Sequence, residues 1–383
     1  MKRMFRTILP ALLCVVLLLS AFTGCGTTVK EPEFVFPEEL TDLPIQHETE
    51  FGGVYIEKTI EEFNALGFSY GDSVIVVFSN GFRLTLPYYN GYYTNNGDPL
   101  LVAYPGYPFI KVAINNGDDL WEVAGLYEGA TASLALDMAG LYADVQNARD
   151  IHYTDERNDY PSDAAFANFR NVAVGNIPEG RLYRSASPCD NQHSRAPYVD
   201  ALMKEAGVRF ILNLSDNDEK LEGYMADPAF ASPYFLSLYE EGAVLPIALN
   251  MNYGSREFRE KIAAGLVDMS SKTGPFLIHC TEGKDRTGYT CMLLEALCGA
   301  SYEEIVADYM ATYENYYGIT KETDAAKYDT IVSSVLNPMV ASLIDDGSDF
   351  RTADLSACAK RYLLDVMTVG QVTALQNCLT AAN

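Results

Sequence analysis

The stretch PFLIHCTEGKDRTGY, residues 275–289, decides how the rest of this 383-residue chain is read. Pro275 to His279 is a short apolar run of the kind buried in a sheet. Beyond Cys280, the apolar residues Tyr289, Met292, Leu293, Ala296 and Leu297 recur at helical spacing, so a helix is predicted from about Arg286 or Thr287. Between strand and helix lies a short loop containing Gly283. Such a turn directs the amides of Thr281, Glu282, Gly283, Lys284 and the next two residues into one concave nest at the positive end of a helix, a site ready for a phosphate. Cys280 sits at the base of that nest. There the amides, the helix end and Arg286 suit an anionic sulfur nucleophile. Arg286, six residues on, can fork onto two phosphoryl oxygens, and Lys284 adds a second positive charge at the mouth.

Working outward, Val208–Leu214 and Val244–Leu249 are further short apolar runs, and Glu257–Met269 between the second of them and Pro275 is helical. Ser301 with Glu304 forms a capping box, and residues 301–383 read as a mainly helical tail with a break near Asn337-Pro338. Residues 137–383 are thus expected to form an α/β domain, a central sheet flanked by helices. Upstream the pattern changes to strands. Ser73–Phe78 is β-branched, Asn80-Gly81 is a turn, and Phe82, Leu84 and Leu86 alternate. Runs at Leu100–Tyr104, Phe109–Ile114 and Thr131–Leu136 complete a small all-β, barrel-like domain over 51–136. Its loop YYNGYYTNNGD carries Tyr88, Tyr89, Tyr92 and Tyr93, which either grip a glycan or protein partner or alternate into the barrel core.

Residues 25–50, with Pro32, Pro37 and Pro44 among many acids, read as an extended tether. Residues 1–24 have the form of a secretory signal: Lys2, Arg3 and Arg6, an apolar run from Ile8 to Phe22, then a small residue before Cys25. An uncleaved membrane anchor is the competing reading of the same run. No later segment approaches ~18 uninterrupted apolar residues. The net charge is −25, and the part beyond the first 24 residues stands lower still, because those carry three basic residues and no acid. Such a field disfavours nucleic acid and anionic lipid, and an anionic substrate needs a local positive site. Eight cysteines with no CxxC pair, and only four histidines, argue against a metal site; no cofactor is implied. Most of the cysteines are expected to be buried apolar fillers, with a disulfide or two open in an exported chain.

The spacing HCxxGxxR resembles the signature of the cysteine-dependent tyrosine phosphatases. With FANFRNV at 166–172, GRLYRSASP at 180–188 and VRFILNLSD at 208–216, HCTEGKDRTG resembles the bacterial branch that includes dual-specificity and phosphoinositide-like enzymes, over about residues 165–315. The resemblance implies that Cys280 forms a phosphocysteine, Arg286 clamps the phosphoryl group, Thr287 assists breakdown of the intermediate and His279 orients the loop. Departures matter. The family strand ending DLR is here Asn213, Leu214, Ser215, and the loop after VLPIAL, NMNYGS, lacks the aspartate that many members use as general acid. Asp285 is then the first choice of proton donor, with Asp216 or Asp218 as alternatives. Arg184 either lines the pocket or forms an ion pair. FTGC resembles a bacterial lipoprotein processing site, which implies cleavage before Cys25, lipid attachment to it and a place on the outer face of the cytoplasmic membrane. Parts of the β region resemble the barrel that ends the S-adenosylmethionine hydroxide adenosyltransferases, which bears on fold more than activity.

The expectation is an exported, lipid-anchored phosphatase acting on a phosphotyrosine protein or an inositol phosphate or phosphoinositide. The alternative is a non-catalytic surface module that keeps a phosphate-binding loop. Sulfur transfer of rhodanese type is weaker, because the Cys-to-Arg spacing favours phosphate.

Overall fold

The computed structural model describes residues 36–382, so the leader and Cys25 lie outside the described residues. Seven strands close into a barrel: β1 Leu43–His47, β2 Val54–Ile56, β3 Ser73–Phe78, β4 Arg83–Tyr89, β5 Pro99–Val102, β6 Ile110–Ile114 and β7 Thr131–Met138, in the order β1-β2-β6-β5-β4-β3-β7. All pairings are antiparallel except β4 with β5. Val74, Val76 and Phe78 of β3 point inward with the period of two that a pleated strand imposes, meeting Leu86, Leu101, Val112 and Leu134. The short helix Ile60–Ala65, with a Thr59–Glu62 capping box, drives Phe63 into the same core, where its ring stacks on Phe68.

Two expectations change here. The tether does not run to residue 50, because Leu43–His47 is a barrel strand paired with β2 and β7, and Leu40 before it is fully buried. The boundary expected between residues 136 and 137 falls inside β7, and Phe36–Asn383 gather into one compact unit. The tyrosine loop is also no exposed platform. Tyr88 packs inside the barrel, Tyr89 is buried in a small outer cluster, and Tyr92 and Tyr93 are half-buried against it.

The second sheet has the order β11-β10-β12-β9-β8, from β8 Arg170–Asn171, β9 Leu182–Ser185, β10 Phe210–Asn213, β11 Val244–Pro246 and β12 Phe276–His279. Its strands are parallel except for β8. Central β12 is covered on both faces. Phe276 and Ile278 meet residues from helices Arg256–Ser270 and Asp285–Leu297, whereas Leu277 meets residues from helices Ala196–Glu205 and Pro233–Glu240. That two-sided burial is why the strand reads as unbroken apolar sequence. Helix Asp285–Leu297 is buried at every position from Thr287 onward, so it passes through the core instead of lying on the surface.

The capping box of Ser301 and Glu304 forms as expected. The break near Pro338 does not. Helix Ala325–Ile331 runs through a π-helical turn, Val332–Leu336, directly into helix Asn337–Ala341. The wider turn lets Asn337 donate to the Val332 carbonyl five residues back, and the proline falls where its missing N–H costs little. All six described cysteines are free, and five are buried. No helix among the described residues is long and apolar enough to cross a membrane.

Candidate active site

Four parallel strands that run in register deliver their C-terminal ends to one edge: Asn213 and Ser185 both lie opposite His279. The loops after them make a pocket of about 450 Å³. Its floor and one side come from the loop after β12, Cys280–Arg286 without Gly283. Leu249, Asn250 and Met251 after β11 and Gln192 and His193 after β9 form the other walls. This is where ligands of open parallel sheets bind.

The loop holds its shape through its carbonyls. The Glu282 carbonyl accepts from Tyr316 Oη at 2.7 Å and Asn168 Nδ2 at 3.2 Å, and the Gly283 carbonyl accepts from Asn168 Nδ2 at 3.2 Å and Arg184 Nη2 at 3.0 Å. In a trans peptide the N–H lies opposite the carbonyl, so carbonyls pinned to these neighbours turn the next amides, Gly283 and Lys284, the other way. Gly283 has φ +68°, and a Cβ there would lie 2.2 Å from the Ser185 carbonyl oxygen, so only glycine fits. Helix Asp285–Leu297 starts immediately afterwards and aims its positive end at the loop.

Cys280 is buried but lines the pocket. Arg286 donates to Thr281 Oγ1 and the Leu249 carbonyl, both at a long 3.4 Å, which orients the guanidinium while leaving its donors weakly used. Lys284 is more committed: its ammonium is 3.0 Å from Glu282 Oε2, 3.9 Å from Asp285 Oδ2 and 3.4 Å from Tyr317 Oη. His279 is fully buried with Nδ1 donating to the Cys280 carbonyl at 3.3 Å, and burial pushes its imidazole down to about 4, so it stays neutral as a brace of the loop. Thr287 is buried, and its hydroxyl has no partner among the described residues.

Of the three candidate proton donors, Asp285 alone lines the pocket, with a half-exposed carboxylate. Asp216 is buried and occupied, its Oδ2 accepting from Ser215 Oγ at 2.8 Å and Asn213 Nδ2 at 3.0 Å. Asp218 is exposed in the first turn of helix Asp218–Met225. Arg184 resolves as the ion pair: it is buried against Asp308, which also holds Arg170 at 2.8 Å, and it reaches the loop from behind. Among the described residues, no group of three or more His, Cys, Asp or Glu side chains is arranged to hold a metal.

The sequence reading missed Asn168, Tyr316 and His193, and it noted the loop after VLPIAL only for its lack of an aspartate, giving Leu249–Met251 no role of their own. Asn168 carried a signal, since it lies within FANFRNV. It adopts φ +48°, a conformation that asparagine tolerates better than most residues.

A sequence model of the tyrosine phosphatase family matches residues 142–369. The chain belongs to that family. A Cupriavidus necator protein whose name assigns it to the tyrosine-protein phosphatases is 26% identical over 163 residues, 35% of this chain and 54% of that protein. The chain therefore spans about half the length of this curated relative. Among solved structures, the core catalytic domain of the PP-IP phosphatase SIW14 from S. cerevisiae, in complex with citrate, is similar at 20% identity and TM-score 0.27, covering 43% of this chain and 83% of that one. An uncharacterized conserved protein from Thermotoga maritima is similar at 17% identity and TM-score 0.24, covering 30% and 42%.

Proposed function

We propose that this member of the tyrosine phosphatase family hydrolyses phosphate monoesters through a phosphocysteine. The observation that carries the reading is one pocket holding Cys280, Arg286 and a loop whose carbonyls are tied back by Asn168, Arg184 and Tyr316. The Cys280 sulfur attacks phosphorus, an S–P bond forms as the ester P–O bond breaks, and the leaving oxygen takes a proton from Asp285. Water then attacks phosphorus, the S–P bond breaks, phosphate departs and the proton returns to Asp285. Arg286 and the inward amides stabilise the charge on the equatorial oxygens in both steps. The substrate is a phosphotyrosine protein or an inositol phosphate, and we place the enzyme on the cell surface, exported by its leader and anchored by lipid on Cys25.

Phosphate release by the full-length chain under reductant, from p-nitrophenyl phosphate and phosphotyrosine peptides, tests the reading beside Cys280→Ser. Release that vanishes in the variant is the expected result. A folded wild-type protein that releases nothing would return the weight to a phosphate-binding surface module, and release that persists in Cys280→Ser would sink the cysteine mechanism.

A further inference from the structure

Two cations and two carboxylates share the pocket, and their pairing bears on which ester it accepts. Arg286 keeps its guanidinium on weak contacts, as described above. Lys284 does not stand free beside it. Its ammonium is 3.0 Å from Glu282 Oε2 and faces the Tyr317 ring at 5.9 Å from the centroid. Glu282 is itself held at both ends, for its other oxygen, Oε1, accepts from Tyr153 Oη at 2.7 Å. The Tyr153 ring stacks on Tyr316 at 5.0 Å and lies 4.6 Å from the Arg195 guanidinium, so that hydroxyl is anchored and Glu282 has no easy route away from Lys284. Burial opposes a charge on Glu282, but Lys284 and Tyr153 outweigh it and hold the carboxyl below its ordinary value.

A lysine and an arginine left bare side by side would suit an ester crowded with anionic groups. With Glu282 fixed against Lys284, the second positive charge is cancelled at short range, and a further phosphate on the substrate would meet a neutral pair flanked by Asp285. We infer that Glu282 is a specificity-determining residue, which by neutralising Lys284 restricts the site to esters carrying one phosphate and disfavours substrates with a second phosphate near the first.

The inference rests on the phosphatase reading and is tested so that the two can fail separately. Glu282→Gln keeps the size of the side chain and removes its charge; Tyr153→Phe keeps the ring stack and removes the hydroxyl that anchors Glu282. For each full-length variant and the wild type, kcat/KM is measured on p-nitrophenyl phosphate and on an inositol trisphosphate. In parallel, calorimetry on a Cys280→Ser background measures the affinity for inorganic phosphate and for the trisphosphate. Glu282→Gln is expected to raise the preference for the trisphosphate, in catalysis and in binding, by about tenfold, the effect of one unit charge a few ångströms away where water at the open pocket mouth keeps the dielectric high. Tyr153→Phe should move the same ratio the same way by less. Preferences that stay at the wild-type value in both variants would overturn the inference and leave the phosphatase reading intact. No phosphate release from either ester by the wild type, with the binding preference still shifted, would instead defeat the phosphatase reading and keep the charge filter.

Discussion

Asp285 and Asp216 are both aspartates near the nucleophile in sequence or in space, yet their surroundings differ, and the proposed mechanism gives only the first a part in proton transfer. Asp285 opens the helix at the pocket rim with a half-exposed carboxylate, whereas Asp216 spends an oxygen on Ser215 and Asn213 inside the protein. Proton donation matters most when the leaving oxygen is a poor leaving group. Asp285→Asn is therefore expected to lower kcat on phenyl phosphate or phosphotyrosine by roughly 10²–10⁴-fold, but to cost far less on p-nitrophenyl phosphate, whose leaving group departs unaided. Asp216→Asn should lower stability by about 1–2 kcal/mol, read from urea unfolding, and leave the dependence on leaving group as in the wild type. A leaving-group dependence that steepens in Asp216→Asn and not in Asp285→Asn would reverse the assignment. At this scale Cys280, Arg286 and Asp285 were legible because they lie in one contiguous motif, where spacing alone implies proximity. His193 was not, because only the shared edge of the parallel sheet brings its loop to the pocket, and the loop with Leu249–Met251 was placed there by resemblance alone.

The loop between β12 and its helix owes its shape to elements distant in sequence. Asp308, on the helix Tyr302–Tyr317, holds Arg170 of β8 and Arg184 of β9, and Arg184 in turn donates to the Gly283 carbonyl. Burial opposes the charge on Asp308, but the two guanidinium groups prevail and hold its carboxyl far below the usual carboxylate range. Removing that carboxylate takes from two buried guanidinium groups the anion they share, leaving them carbonyl, amide and hydroxyl partners and the neighbouring Glu295 carboxyl, so Asp308→Ala should cost about 3–5 kcal/mol in urea unfolding. The same variant should weaken phosphate binding, since the brace behind Gly283 loses its anchor. Full stability in Asp308→Ala would show that the cluster is dispensable. The strands and the helix of this region were legible from apolar runs and periodicity. The brace was not, because charged residues in a sequence read as surface until their partners are located. Pro338 misled for a related reason: proline forbids one hydrogen bond, and the π-turn before it accommodates that loss without ending the helix.

Over the whole molecule, the excess of acid sets the terms on which any anionic substrate arrives. The chain carries −25, while the pocket's weakly committed cation is Arg286, and one contact by which the barrel reaches the pocket wall is neutral, Asn96 Nδ2 donating to the Met251 carbonyl at 2.6 Å. The barrel strands from Ser73 onward were legible from alternation and turn residues, whereas β1 lay in the stretch read as tether and β2 is only three residues long. The barrel's support of a pocket wall was not legible, since the Asn96 side-chain amide makes this link across 155 positions. At about 0.01 M salt the Debye length is roughly 30 Å, so a substrate approaching the pocket feels charge from most of the molecule; at about 0.15 M it is roughly 8 Å, and the local cation counts for more. Raising salt from the first value to the second is therefore expected to increase kcat/KM for an anionic phosphopeptide by about two- to tenfold while kcat changes little, because the repulsion opposes encounter and not chemistry. The partly enclosed Arg286 contact is screened less than the surface field, so the rise should level off at higher salt before it reverses. A kcat/KM that falls steadily from the lowest salt would mean that the pocket's own positive charge outweighs the acidic surface even at long range.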